Sequence, residues 1–161
     1  MIKVVGIDPG LAGTGIGVIQ GSHTEILGYS FGTIATEADD PIHFRLHEIY
    51  SKALEFLCEQ KPDYVIIEDI YSLEKFPGSG IMLGKVSGVL MLAAYKAGLN
   101  MQEIPVREVK KIISGNGSAD KYQMERAIRN QLNHGQPIRP FHASDALGLA
   151  LTGYYRYRNM L

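Results

Sequence analysis

Four residues at three separate places in the chain have side chains that could bind a cation together: Asp8, Glu68, His142 and Asp145. Asp8 and Glu68 each end an apolar run that should be buried, and a buried carboxylate is costly unless something neutralises it. His142 and Asp145 are three residues apart, so a helix places them on one face. Carboxylate oxygens suit Mg²⁺ and Mn²⁺, and an imidazole moves the preference slightly toward Mn²⁺. Two such ions can activate a water and stabilise the leaving oxygen of a phosphodiester, so these residues predict metal-dependent chemistry on phosphates.

Each of these residues also has a structural explanation when it is taken alone. Asp8-Pro9-Gly10 could be a turn, and acidic residues are common at strand ends. Asp145 in a first helical turn would interact favourably with the helix dipole. The prediction of a site therefore depends on the elements that bring the four residues together.

The hydrophobic pattern predicts those elements. The continuous apolar run that ends at Glu68 is typical of a strand covered on both faces, and the apolar residues after Pro41 follow helical spacing. Five strands are predicted, over residues 2–8, 14–20, 25–35, 64–68 and 101–106. Helices are predicted over residues 41–60, from a mobile loop at 72–80 to about 97, over 107–113 and 119–132, and from about 142 onward.

This order predicts an α/β fold, with a mixed five-stranded sheet and helices on both faces. The helical crossover before the fourth strand can place Glu68 beside Asp8, at the carboxyl edge where open sheets bind their ligands. The length suits one domain, over residues 1–161, and no repeat or boundary divides the chain.

The composition narrows the class of protein. The net charge is −1, so the chain lacks the strongly basic footprint of many nucleic-acid-binding proteins, although a basic face can be balanced elsewhere. Its single cysteine, Cys58, excludes an internal disulfide. No signal peptide is recognisable, and we expect no apolar run to approach the ~20 residues of a membrane span. We therefore expect a cytoplasmic protein that does not associate with a membrane.

Four motifs, in order over nearly the whole chain, resemble those of the RuvC family of Holliday-junction resolvases. One motif would be weak support, but four in order are strong. They are Gly6-Ile7-Asp8-Pro9-Gly10-Leu11, Ile67-Glu68, Gly115-Asn116-Gly117-Ser118-Ala119-Asp120-Lys121 and His142-Ala143-Ser144-Asp145-Ala146-Leu147.

The resemblance implies a ribonuclease-H-like fold and a role in DNA recombination and repair. It implies an endonuclease that binds a four-way DNA junction as a homodimer and nicks two opposed strands symmetrically. It leaves open a complex with a branch-migration helicase. Gly80, Gly84 and Gly88 lie four residues apart, from the end of the predicted loop into the second predicted helix, which fits either a dimer interface or close packing within one subunit.

The resemblance also implies roles for single residues. Asp8, Glu68, His142 and Asp145 correspond to the catalytic, metal-binding set, which implies Mg²⁺, two ions per subunit, with Mn²⁺ as a substitute. In the mechanism we expect, Asp8 bridges the ions, Glu68 and Asp145 bind one each, and His142 binds a metal or positions the attacking water.

Three further residues correspond to the family's DNA contacts. Lys110 and Lys121 fall where the family keeps lysines near the junction phosphates, and Tyr71 falls where it places an aromatic residue against unpaired bases. Basic side chains and stacking rings suit phosphates and bases respectively. Scattered lysines on a solvated surface would look similar in sequence.

Three other functions remain open at this stage. The stretch from Asp8 to Gly17 also resembles the phosphate-binding turn of actin-like kinases and ATPases, but those need two lobes and this chain has length for one. A junction-binding protein without catalysis would gain nothing from clustered acids near phosphate. A ribonuclease of the same fold is the remaining alternative.

Overall fold

A computed structural model describes residues 1–70 and 77–160. Within them, five strands form one sheet: β1 (Ile2–Asp8), β2 (Gly13–Gly21), β3 (Ile26–Ala35), β4 (Tyr64–Asp69) and β5 (Met101–Pro105). The helices are α1 (Ile42–Gln60), α2 (Pro77–Lys96), α3 (Val106–Ser114), α4 (Lys121–Gln131) and α5 (Phe141–Tyr157).

The sheet has the order β3-β2-β1-β4-β5. β1, β2 and β3 form an antiparallel meander, whereas β4 runs parallel to β1 and to β5. Ile7 of β1 pairs with Ile67 of β4, so the next residues, Asp8 and Glu68, lie side by side at one edge of the sheet. The predicted mixed five-stranded sheet is confirmed.

The sheet separates two hydrophobic cores because successive side chains of a strand point to opposite faces. Val4 and Ile66 belong to the core covered by α3, α4 and α5. Val5 and Ile67 belong to the core covered by α1 and α2. The predicted placement of helices on both faces is also confirmed, and α5 lies on the face that carries the acidic edge.

Three glycines let α5 lie directly on the backbone of β1 and β2. A Cβ atom added to Gly15 would lie 1.9 Å from the carbonyl oxygen of His142. One added to Gly6 would lie 2.1 Å from the oxygen of Ala146, and one on Gly17 would lie 2.5 Å from a backbone nitrogen of α5. Real Cβ atoms do not approach backbone so closely. Any side chain at these positions would therefore push α5, and the residues of its first turn, away from the strand ends.

The structure corrects the predicted start of α2. This helix begins at Pro77, so residues 77–80 of the predicted loop are helical. Proline is favoured in a first helical turn because the N–H that it lacks would have no partner there. Residues 71–76, which include Tyr71, lie outside the described residues.

A second correction concerns the hydropathy of α2. The stretch Gly78–Lys96 is long and apolar enough to cross a membrane by length and composition, which the sequence reading overlooked. The core helix of a soluble protein can pass the same test. Val86, Leu90 and Ala93 are fully buried against the α1 side of the sheet, so one face of the helix belongs to the core.

The close packing of α5 against the backbone of β1 and β2 predicts that Gly15→Ala destabilises the fold. The added methyl group would overlap the backbone at His142, so we expect the free energy of unfolding to fall by at least about 1–3 kcal/mol, the usual cost of overpacking. Urea denaturation measures this difference. Gly32→Ala on β3 is the matched control, because its Cβ would meet nothing within 4 Å. Equal losses in both variants would contradict this account.

Candidate active site at the end of the sheet

Two strand ends place the first pair of acidic residues. Asp8 is the last residue of β1 and is only 6% exposed, and Glu68 lies beside it near the end of β4. Asp8 lies close enough to hydrogen-bond to Glu68, and this contact helps to raise the pKa of Glu68. A hydrogen bond between two carboxyl groups requires that one of them carries a proton. The pair is therefore close enough to share a proton.

The first turn of α5 adds His142 to this pair. Its Nδ1 lies 2.6 Å from Oδ2 of Asp8. An ionised carboxylate can only accept, so Nδ1–H donates and Nε2 stays free to accept a proton or bind a metal. The hydrogen bond to Asp8 raises the pKa of His142, while its partial burial acts in the opposite direction.

Burial and nearby negative charges disfavour the ionised forms of Glu68 and Asp145. Burial, and then the hydrogen bond and charge of Asp8, raise the pKa of Glu68 to about 8. Burial and the charge of Asp8 raise the pKa of Asp145 to about 6. Perturbed acids gathered in one place are typical of functional sites. Here they indicate negative charge that is not fully neutralised by the protein.

Lysines provide part of the neutralisation. The charge of Lys110 on α3 lowers the pKa values of both Glu68 and Asp145, although burial outweighs it. Lys110 and Lys121 line the same cavity of about 170 Å³ as these two acids. The cavity therefore combines carboxylates with two cations, as a site for a phosphate and a metal requires.

The donor set fits a hard divalent ion, although its members are not yet arranged around one. Among the described residues, no three His, Cys, Asp or Glu side chains are grouped as they would be in a metal site. Asp8 instead hydrogen-bonds to Glu68 and to His142. Metal binding requires deprotonated ligands and so displaces protons, and a cation among these acids would relieve the repulsion that raises their pKa values.

The structure brings together all four residues of the predicted acidic site, with Lys110 and Lys121 beside them. Tyr71 lies outside the described residues, so its placement stays a prediction. The sequence reading missed the apolar wall of the cavity, formed by Val106, Val109, Met124 and Leu149. Helical spacing marks such residues only as core, so no sequence signal distinguishes a cavity wall from ordinary packing.

Comparison with known proteins places this site in a family. The family model described as crossover junction endodeoxyribonuclease RuvC matches residues 4–153. The chain belongs to the RuvC family. RuvC of Syntrophomonas wolfei is 34% identical, over 98% of this chain and 91% of that protein. RuvC of Corynebacterium glutamicum is 38% identical, over 96% of this chain and 70% of that protein.

Solved RuvC structures share the whole fold. Thermus thermophilus RuvC in complex with a Holliday junction substrate superposes with a TM-score of 0.87 and 27% identity, over 99% of this chain and 97% of that chain. Thermus thermophilus RuvC in another structure gives a TM-score of 0.83 at 28% identity. The ribonuclease-H-like fold of the RuvC family therefore extends over essentially the full chain.

The raised pKa of Glu68 predicts how stability depends on pH without metal. Its folded value of about 8 lies above the ordinary value of 4.5. The stability contributed by protonated Glu68 is therefore complete below pH 4.5 and is lost as the pH rises through 8. Glu68→Gln stays neutral, so its melting temperature should fall less than that of the wild type between pH 5 and pH 9.

Thermal melts in EDTA measure this difference. We expect the variant to be more stable at pH 9 by at least 2–4 °C, which corresponds to about 1 kcal/mol in a domain of this size. Glu55→Gln, at an exposed position on α1, should follow the wild type. Parallel curves for wild type and Glu68→Gln would mean that Glu68 is not held in a protonated state.

Proposed function

We propose that this chain is a divalent-metal-dependent endonuclease that resolves four-way DNA junctions during recombination and repair. The observation that carries the proposal is the acidic edge of the sheet, with three carboxylates and a histidine, in a chain of the RuvC family. The full-length likeness to a RuvC bound to a Holliday junction supports junction DNA as the substrate. Because such junctions form in bacterial chromosomal DNA, the proposed location is the cytoplasm.

Asp8, Glu68, His142 and Asp145 are the proposed catalytic residues. The proximity of Asp8, Glu68 and Asp145, together with the raised pKa values of Glu68 and Asp145, supports these three residues as the ligands for Mg²⁺, with two ions per subunit and Mn²⁺ as a substitute. Bound there, the metal would supply an activated water and stabilisation of the leaving oxygen. His142 adds a further nitrogen donor at the exposed side of the cluster.

Asp8 and His142 form the unit that handles protons. Asp8 holds the proton on Nδ1, which fixes the ring orientation and leaves Nε2 available. Nε2 can bind a metal, or accept the proton of the attacking water, since His142 is half-exposed. Hydrolysis then leaves a 3′-hydroxyl and a 5′-phosphate. Burial of Asp8 keeps bulk water away from the carboxylate that orients the ring.

DNA contacts are proposed for Lys110, Lys121 and Tyr71. Lys110 and Lys121 line the same cavity as Glu68 and Asp145. A phosphodiester bound there would contact both lysines. Lysines beside a scissile phosphate add affinity and reduce the repulsion between the phosphate and the carboxylates. Tyr71 follows Glu68 by three residues, and its proposed role is to stack on an unpaired base at the junction centre.

A homodimer is the proposed assembly, because α2 exposes an apolar stripe on the side away from the core. Ile81, Leu92 and Tyr95 are 64%, 47% and 78% exposed, and their spacing places them on one helix face with Gly84 and Gly88. A Cβ added to Gly88 would meet nothing within 4 Å, so this glycine is not explained by packing within the subunit. Small residues in an apolar stripe allow a second helix to approach closely. A branch-migration helicase as partner stays a prediction.

Leu92→Glu should dissociate the dimer. A charge in the centre of the stripe would be buried without a partner, at a cost of several kcal/mol. Light scattering should give about twice 17.7 kDa for the wild type and 17.7 kDa for the variant. Phe44→Glu, at another exposed apolar position on α1, is the control and should remain dimeric. A monomeric wild type would refute the proposed assembly.

The activity is tested with labelled immobile and branch-migratable four-way junctions in Mg²⁺ or Mn²⁺. Linear duplex and RNA–DNA hybrid serve as control substrates. Paired symmetric nicks in the junction alone would support a resolvase. Cleavage of the hybrid instead would indicate a ribonuclease of the same fold, and tight junction binding without cleavage would indicate a binding protein.

Asp8→Asn tests the active site. The amide cannot replace the carboxylate towards His142 and a metal, so cleavage should fall on the order of 10³-fold or more, as for other members of a catalytic unit. Junction binding should persist, because the change removes a negative charge near the phosphates. Asp39→Asn, at an exposed position, should cleave normally. Substantial cleavage by Asp8→Asn would mean that the site lies elsewhere.

A further inference from the structure

A second group of cations lies beside the acidic edge, around the ring of Phe141. Nζ of Lys121 is 4.9 Å from the centre of this ring, and Cζ of Arg139 is 4.1 Å from it. Tyr122 meets the same ring edge-on, with centroids 5.2 Å apart. Attraction to the ring face holds each cation in place. Two positive side chains are thus held against one aromatic residue, and each of them is favourable for an anion that binds beside it.

Local acids do not account for this pair of cations. No carboxylate among the described residues lies within ion-pair distance of Lys121. The carboxylate of Asp120 accepts hydrogen bonds from two backbone N–H groups of α4. The buried Glu125 lies 4.0 Å from Arg139, but it is 3.1 Å from Arg129 and also accepts a hydrogen bond from a backbone N–H. Glu125 therefore has a nearer cation than Arg139, as well as a backbone donor.

The side chain of Arg139 is held in place by the protein and is still accessible to a ligand. Its Nη1 donates to the carbonyl oxygen of Ile138 at 2.9 Å, and its side chain is 45% exposed. A guanidinium group has five N–H donors, and stacking on a ring leaves the donors at its edge free. An arginine with this ring contact and with free donors is better suited to binding a phosphate than to forming a structural ion pair.

The position of the ring relates this group to the reaction. Phe141 directly precedes His142, and Lys121 lines the cavity that contains Glu68 and Asp145. The phosphates of a DNA strand follow one another about every 3.4 Å along the helix axis. A strand with one phosphodiester at the acidic cluster can therefore place a neighbouring phosphate at this ring.

We propose that Arg139, held over the ring of Phe141 that Lys121 also contacts, binds a backbone phosphate of the junction strand next to the bond that is cut. Phe141 is a positioning residue that holds the two cations, and Tyr122 supports its ring from the side. The proposal rests on the proposed junction-resolving function and adds a phosphate contact to it. Such a contact would hold the strand in register at the acidic edge without reading its bases.

The salt dependence of junction binding tests the proposal. Affinity for an immobile four-way junction is measured in EDTA, so that no strand is cut, over a series of salt concentrations. Each phosphate contact contributes about 0.9 to the slope of log affinity against log salt. Arg139→Gln should lower this slope by about one. Between 50 and 200 mM salt the wild type should thus lose about three- to fourfold more affinity than the variant.

Two further variants separate a phosphate contact from a structural role. Arg129→Gln removes the nearer partner of Glu125 but no cation of the Phe141 group, so its slope should equal that of the wild type. Phe141→Leu keeps both cations but loses the ring, so its affinity should fall while its slope stays the same.

Two results would overturn the proposal. One is an unchanged slope in Arg139→Gln, and the other is equal losses of affinity and thermal stability in Arg139→Gln and Arg129→Gln, which would make Arg139 a structural partner of Glu125. A wild type that binds no junction at all would refute the proposed function, and this inference with it. A wild type that binds and cuts junctions while Arg139→Gln keeps its slope would refute only the phosphate contact.

Discussion

The contact between α5 and the backbone of β1 and β2 is the constraint on which the rest of the structure depends. At Gly6, Gly15 and Gly17 no side chain stands between the helix and the backbone of the sheet. The helix therefore begins directly above the end of β1, and His142 reaches Asp8 at hydrogen-bond distance. A helix on an ordinary layer of side chains would stand about 10 Å from the sheet, the usual separation of packed elements, and its first turn would not reach the strand end.

This close position of α5 on the sheet also creates electrostatic repulsion between the acidic residues of the site. It brings Asp145 and His142 over two acids that the sheet has already placed side by side, in a partly buried environment. The protein offsets this repulsion in part by placing Lys110 nearby, whose charge lowers the pKa values of Glu68 and Asp145. Active sites commonly trade stability for such arrangements. The same repulsion that destabilises the protein without metal favours cation binding, because ligands that repel each other gain most from a shared positive charge.

The two faces of the sheet are used for different purposes. On one face, α3, α4 and α5 form the cavity wall and carry Lys110, Lys121 and the ring of Phe141 near the acidic edge, and Arg139 lies just before α5. On the other face, α1 and α2 cover the second core, and α2 leaves an apolar stripe exposed. A partner subunit on α2 would thus leave the acidic edge open to DNA. The core of the sheet separates the proposed assembly surface from the proposed substrate surface.

The sequence by itself determined the strands, the acidic ends of β1 and β4, and the pairing of His142 with Asp145 on one helix face. These features follow from local hydrophobic periodicity and short spacings, which depend on neighbouring residues alone. It also predicted the mixed sheet, because a meander followed by helix–strand alternation permits few topologies. The early start of α2 was missed because a Pro-Gly-Ser-Gly run favours loops locally, whereas the packing of the rest of the helix extends it to Pro77.

Only the tertiary structure decided how close the elements come and what surrounds the acids. The role of Gly15 depends on a helix more than one hundred residues away, and the same is true of the bond between Asp8 and His142. The raised pKa of Glu68 comes from burial and from two acids on other elements. The sharing of one ring by Lys121 and Arg139 needs α4 and the start of α5 to meet. These properties arise from distances between segments remote in the chain, which neither composition nor periodicity contains.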